Sequence, residues 1–406
     1  MKEKTILIIN CGSSSLKYEI YKMPAEESLG KGLVERIGEA EGSISQESVN
    51  GRINKKHVIP DHTAAMELIK EALTDPVNGI LESVEEIAGI GHRVVHGGEE
   101  YSESVLIDDE VIRIIDKNSE LAPLHNPAHL MGIEAASNML PKCKQVAVFD
   151  TAFHQTISPA SYLYGIPYEM YEKYKIRRYG FHGTSHRFVA EAAVKLMKRS
   201  ITNTNVISCH LGNGASITAI SQGKSVETSM GFTPLSGLVM GTRSGDIDPA
   251  ILLYLQERGH SPEELNEILN KKSGLLGLSG ISNDLRDLEQ AAEEGNKRAQ
   301  QALDVYAHQI RLFIGAYAAN IVRLDILVFT GGIGEHGTRM RERICHRLES
   351  VGIVMDYRKN LEIGSNKGII SQPYSPTSIC VVPTNEELQI AKDTYSIIFG
   401  NGLNGE

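Results

Sequence analysis

"TILIINCGSSSLKYEIY", residues 5–21, decides the fold. Thr5 to Ile9 is an apolar run of strand length. Leu16, Tyr18 and Ile20 then alternate with Lys17 and Glu19, the period-two mark of a strand with one buried face. Between them lies a tip of small residues, Asn10-Cys11-Gly12-Ser13-Ser14, so a β-hairpin is predicted. The same shape returns in "NVISCHLGNGASITAI", residues 205–220. Each hairpin is followed by a further strand-like piece, "GLVERI" (32–37) and "KSVETSM" (224–230), and then by helical segments. Two copies of one α/β unit are therefore expected. The first spans 1–150 and is joined by a returning C-terminal helix at 386–406; the second spans 151–385.

Other signals mark element ends. "DPAILLYLQERG" (248–259) offers Asp248 as an N-cap with Pro249 in the first turn, and Ser261 with Glu264 forms a capping-box pattern. "QVAVFD" (145–150) reads as a buried strand ending in an aspartate, and "SICVVPTNEEL" (378–388) as strand, turn and helix start. The tail "GNGLNGE" is expected to be loose.

Composition narrows the function. The 406 residues are 41% apolar and 23% charged, enough for two large cores in a globular protein. A net charge of −10 leaves no basic surface for a nucleic-acid partner. It does not exclude a small anionic substrate, because a few local arginines outweigh the global balance. Cys11, Cys143, Cys209, Cys345 and Cys380 share no C-x-x-C spacing and read as free thiols in a reducing compartment. No apolar stretch reaches the roughly 20 residues of a membrane span. The apolar run in "MKEKTILIIN" is too short for a signal peptide. A cytoplasmic protein with no membrane partner is expected.

In "LVFTGGIGEHG" (327–337), Gly332, Gly334 and Gly337 spell G-x-G-x-x-G. A strand, "DILVF", precedes the motif, a helix-like "TRMRERICHRLESVG" follows, and Glu349 stands where a ribose-binding acid would be sought. Too little chain remains after it for a dinucleotide fold, and the strict Walker pattern is absent. A tight loop without a ligand is the plain alternative. A backbone cradle for a mononucleotide fits best, because three small-residue turns at strand ends (10–15, 210–216 and 331–337) occur in one duplicated chain.

Three histidine pairs have H-x-x-x-H spacing: His92/His96, His125/His129 and His182/His186. On a helix that spacing binds zinc. The intervening "RVV" reads as a strand, which sets the rings about 13 Å apart, and "NPA" and "GTS" contain Pro or Gly. A rim of histidines donating to an anion is the better expectation. Arg93, at a strand end, and Arg243, in the glycine-flanked "GLVMGTRSGDIDP", suit a carboxylate or phosphoryl group. Asp150 and the Glu386-Glu387 pair suit magnesium, which takes one or two carboxylates plus substrate phosphates.

The segments "NCGSSSLK" (10–17), "HRVVHGG" (92–98), "LHNP" (124–127), "FDTAFHQT" (149–156), "RRYGFHGTSH" (177–186), "HLGNGAS" (210–216), "GTRSGDIDP" (241–249), "FTGGIGEHG" (329–337) and "PTNEE" (383–387) resemble the acetate kinase (acetokinase) family. The resemblance runs from about residue 5 to 399, and propionate kinases share most of it. It implies two ribonuclease-H-like domains of the actin-like ATPase type with an interdomain cleft. It also implies ATP and acetate as substrates, Mg²⁺ (with Mn²⁺ as a substitute) as cofactor, and a homodimer.

Carried over by resemblance, Asn10 and Glu386 would serve the metal. Ser13, Ser15 and Lys17 would form a first phosphate loop, and His210, Leu211, Gly212, Asn213 and Gly214 a second. Asp284, Leu285, Arg286, Gly331, Gly332, Ile333, Gly334 and Glu335 would lie on the adenosine side. Arg93 would bind the carboxylate, Asp150 would be the catalytic aspartate, and His182 and Arg243 would stabilise the transition state. Val95, Leu124, Phe181 and Pro234 would line the acyl pocket. Valine at 95 narrows that pocket relative to the alanine typical of propionate kinases.

Two other classes remain in view. A dehydrogenase built on the glycine motif would bind a nicotinamide cofactor without Mg²⁺. A non-enzymatic nucleotide switch would bind ATP without acid-dependent turnover. Arg93 and the apolar residues near it favour a small-acid pocket over both.

Overall fold

The computed structural model describes residues 2–123 and 125–400. Leu124 and most of the tail expected to be loose lie outside the described residues. The chain divides into two compact units, Met1–Phe153 with Asn385–Glu406, and His154–Thr384.

The first unit holds eight strands: β1 (Lys4–Cys11), β2 (Ser15–Met23), β3 (Glu27–Glu35), β4 (Gly42–Ser48), β5 (Gly51–His57), β6 (Ile87–Val94), β7 (Val105–Leu106) and β8 (Gln145–Phe149). Their order in the sheet is β5-β4-β3-β2-β1-β6-β8-β7. β1 and β2 form the predicted hairpin, with Asn10 opposite Lys17. β6 and β8 then add in parallel to β1. Parallel strands covered on both faces need apolar residues at successive positions, which is why β1 reads as a run. Leu7 and Ile9 join a core with Ala65, Met66 and Ile69 of helix His62–Leu73 and with Ala135 and Ala136 of helix Asn126–Met139. Ile6 and Ile8 face the other way, against Ile390, Ala391 and Tyr395 of helix Glu386–Phe399. The last helix therefore belongs to the first unit.

The second unit holds β9 (Asn205–Leu211), β10 (Ala215–Ser221), β11 (Lys224–Thr228), β12 (Ile326–Thr330), β13 (Gly368–Ile369) and β14 (Ser378–Val381), in the order β11-β10-β9-β12-β14-β13. β9 and β10 are antiparallel, and β12 and β14 add in parallel to β9. This is the topology of β3-β2-β1-β6-β8 again. The duplication expected from two hairpins thus extends through five strands. Helices Gly183–Leu196 and Lys297–Ala319 pack on this sheet.

Several expectations need correction. β4 and β5 follow β3, where helix was expected directly. The segments carrying His125/His129 and His182/His186 are helical despite their Pro and Gly, because those residues occupy the first turn, where a missing N–H or Cβ costs little. The helix after Asp248 begins at Ala250, with Pro249 at its cap position, although the Asp248 carboxylate still accepts from Ala250 N at 2.9 Å. The Ser261/Glu264 capping box is present as read. Among the described residues no helix is long and apolar enough to cross a membrane.

Candidate active site

In the first unit, Asn10, Arg93 and Asp150 lie at the carboxyl ends of β1, β6 and β8, three neighbouring parallel strands. In open α/β sheets that edge is where ligands bind. Asp150 N donates to Val94 O at 2.9 Å, so the strand pairing itself fixes the aspartate beside β6. Arg93 Nη2 donates to Asp150 Oδ2 at 2.5 Å, and Nη1 to Asn10 Oδ1 at 3.4 Å. Its Nε, buried and without a hydrogen bond, is 3.8 Å from Glu386 Oε2. Glu386 opens its helix behind the Asn385 cap. Burial opposes charge on Arg93, but Asp150 and Glu386 outweigh it and hold the guanidinium ionised. Burial pushes Glu386 up to about 7; Arg93 opposes that shift, while Asp150 and Glu387 add to it.

Two carboxylates, Asp150 and Glu386, thus flank one guanidinium, with the charge of Glu387 felt beside them, and the cluster calls for more positive charge than it holds. With the hard oxygens of Asn10, Asp150 and Glu386, this fits Mg²⁺ completed by substrate phosphates and water. A set of oxygens alone, without histidine or cysteine, suits magnesium and not zinc. Ser13 is exposed at the hairpin tip, Ser15 starts β2, and Gly12 N donates to Ser15 O at 2.7 Å to close the turn. Lys17 and Asn10 line a cavity of about 370 Å³ with Glu387. Val95 follows β6 and is buried.

In the second unit, His182 caps helix Gly183–Leu196 in a left-handed conformation (φ 58°). The ring stacks on His210 at 4.3 Å between centroids. His182 Nδ1 is 2.8 Å from Ser216 Oγ, and His210 Nδ1 is 2.8 Å from Ser185 Oγ. Arg243 is half-buried, with Nη1 donating to Pro234 O at 3.2 Å. Among the described residues it has no carboxylate partner, and burial lowers its pKa. A Cβ built on Gly214 would lie 3.6 Å from both Arg243 Nη1 and His182 Nε2. The glycine therefore leaves room where the two side chains converge. Phe181 is buried directly before His182.

The remaining predicted residues gather around the same strand ends. Asn213 O accepts from Gly241 N at 3.0 Å, and Asn213 Oδ1 from Asn283 Nδ2 at 3.0 Å, which ties Gly212–Gly214 to the segment before Asp284. Asp284 caps helix Leu285–Glu293 and is paired with Arg286 at 2.6 Å; that bond holds its carboxyl down at about 2. The glycine-rich segment is not a loop. Gly331–His336 forms a short helix, begun by Gly331 at φ 74°, where a Cβ would sit 2.8 Å from Leu211 O. Glu335 Oε1 accepts from Gly331 N at 2.9 Å and Thr384 N at 3.1 Å, so part of the cradle's donor set is already engaged. Gly332 and Ile333 are on the outer side and Gly334 is buried. The antiparallel β9–β10 pair beside this motif also removes the dinucleotide fold from consideration.

Sequence reading named His186 only within a general rim of histidines and did not single out Ser216, Ser185, Thr384 or Asn283 for the site. The H-x-x-x-H spacing of His182 and His186 was the available signal, and it marks a shared helix face here, not a metal.

The acetokinase family model matches residues 5–392. An acetate kinase of Desulfitobacterium hafniense is 53% identical over 97% of this chain and 99% of its own. One from Clostridium botulinum is 54% identical over 97% and 99%. The crystal structure of Porphyromonas gingivalis acetate kinase superposes with a TM-score of 0.94 at 46% identity, covering 97% of this chain and 100% of that one. A propionate kinase from Francisella tularensis gives 0.90 at 43%, with the same coverage. With the strand-end arginine, the paired carboxylates and the glycine-bounded histidines in place, this chain belongs to the acetokinase family.

Proposed function

We propose that this chain transfers the γ-phosphoryl group of ATP directly and reversibly to acetate, giving acetyl phosphate and ADP. Membership of the family and the names of the relatives support acetate as the acceptor. The observation that carries the chemistry is Arg243, a half-buried guanidinium beside His182 and the Gly214 gap with no carboxylate partner among the described residues. Such a charge is suited to an anion that arrives with the substrate.

Acetate is ionised at pH 7 and needs no base to become a nucleophile. The protein must position it and neutralise charge. Arg93 binds the acetate carboxylate, and Asp150 holds Arg93 at 2.5 Å and orients it without taking a proton. Arg243 and His182 donate to the oxygens of the transferring group. Ser13, Ser15, Lys17 and the His210–Gly214 turn attend the phosphates, while Asp284–Arg286 and Gly331–Glu335 attend the nucleoside. Asn10 and Glu386 would hold Mg²⁺, or Mn²⁺ in its place, and the ion when bound neutralises charge on the ATP phosphates. Val95, Phe181 and Pro234 limit the acyl chain.

A homodimer is part of the same reading. Helix Ala250–Gln256 buries no residue and exposes Ile251, Leu253 and Tyr254, an apolar face of the kind that partners cover. Five free thiols support a cytoplasmic setting.

The test is ADP release by purified protein with ATP, with and without acetate and with and without a chelator. Release that needs both acetate and the divalent ion is expected. Release indifferent to acetate would reject the proposal.

A further inference from the structure

We propose that Ser216 and His186 are positioning residues that fix the tautomer of His182, so that a neutral His182 presents an Nε2–H donor to the transferring phosphoryl group. The inference rests on the role given to His182 above.

Ser216 Oγ lies 2.8 Å from His182 Nδ1 and 2.7 Å from His186 Nε2. A hydroxyl carries one proton and cannot donate to both rings, so one imidazole must donate to it. His186 is fully buried, and its other nitrogen is bonded to Ser208 Oγ. The rings of His154, His210 and His182 face it at 5.9, 6.2 and 6.5 Å. Burial, with the imidazoles of His154 and His210, holds its pKa well below the ordinary histidine value, so it is neutral and has one N–H.

Two polarities satisfy the chain. In one, His186 Nε2–H donates to Ser216, Ser216 donates to His182 Nδ1, and the His182 proton is forced onto Nε2. In the other, His182 Nδ1–H donates to Ser216, and His186 donates either to Ser208 or, through Nε2, to Ser216 as well. His182 then carries an Nε2–H only as a cation. Arg243 excludes the cation: its Nη1 and His182 Nε2 converge on the Gly214 gap, and an imidazolium there would face a guanidinium with no carboxylate partner among the described residues. In the second polarity a neutral His182 would turn an unprotonated Nε2 toward the transferring group, which that group's oxygens cannot use. The first polarity supplies a hydrogen-bond donor with no second charge.

Protein labelled with ¹⁵N-histidine tests this directly, with the His182 signals assigned by their loss in His182→Ala. An unprotonated Nδ1 and a protonated Nε2 at neutral pH are expected; a protonated Nδ1 overturns the proposal. In parallel, Ser216→Ala should lower kcat about tenfold with the KM for acetate and ATP within about twofold. Ser216→Thr, which keeps the hydroxyl, should restore kcat. His186→Gln, whose amide still donates to Ser216, should retain more activity than His186→Leu. Wild-type kcat in Ser216→Ala overturns the relay and leaves the role of His182 intact. Wild-type kcat in His182→Ala removes both.

Discussion

Arg93 and Arg243 are chemically identical side chains in opposite surroundings. Arg93 is held by Asp150 at 2.5 Å with Glu386 at 3.8 Å, whereas among the described residues Arg243 bonds to a carbonyl and a methionine sulfur and to no carboxylate. Asp150→Asn keeps a hydrogen-bonding group but removes the charge that orients Arg93. It should lower kcat by on the order of a hundredfold and raise the KM for acetate. Turnover and Mg²⁺ dependence near wild type would show that Asp150 has no such role. Val95→Ala removes methyl groups from a buried position next to β6. The ratio of kcat/KM for propionate over acetate should rise about tenfold, the worth of one methylene in an apolar pocket. An unchanged ratio would remove Val95 from the acyl pocket. Both arginines were legible because each stands at a break in pattern, one at a strand end and one among glycines. Ser208 and Ser216 were not, since a serine inside a buried strand looks like any small inward residue until its partners are placed.

Hairpins carried most of the legible architecture, and the strand-tip-strand pattern located both sheets. β4 and β5 were missed although Asn50-Gly51 marks their turn, because "GSISQES" and "GRINKKH" bury few side chains and lack an apolar run. The short helix at Gly331–His336 was read as a loop for a related reason. Its glycines disfavour helix locally, and the end contacts come from the side chains of Glu335, within the motif, and Arg341, beyond it. Between strands, His92 Nε2 donates to Gln145 Oε1 at 2.6 Å, coupling β6 to β8. Burial lowers the His92 pKa to about 4. As pH falls below the ordinary value of about 6.5, the unfolded chain takes up this proton before the folded one does. Stability is complete above that value and declines toward pH 4, by about 2 kcal/mol at pH 5 from this group alone. Urea midpoints at pH 7 and 5 should therefore differ less in His92→Gln than in wild type. Equal losses in the two proteins would contradict the assignment.

The whole chain is one topology used twice, β3-β2-β1-β6-β8 and β11-β10-β9-β12-β14, and the two copies have diverged in what they hold. The first gathers carboxylates around an arginine; the second gathers histidines and an arginine that has no carboxylate partner among the described residues. On the reading proposed above, the first would seat the metal and the acid and the second the developing phosphate charge. Leu253→Glu, on the exposed apolar helix, should shift the protein to a slower-sedimenting species if that face joins two copies. An unchanged sedimentation coefficient would place the interface elsewhere. The most direct measurement is trapping of the acyl phosphate itself. Protein, Mg-ATP and hydroxylamine are incubated with acetate, propionate or no acid, and hydroxamate is measured. Hydroxamate that forms only with acid, with kcat/KM higher for acetate than for propionate, is predicted. No hydroxamate with either acid, from protein shown to bind ATP, would contradict phosphoryl transfer to a carboxylate and leave a nucleotide-binding switch.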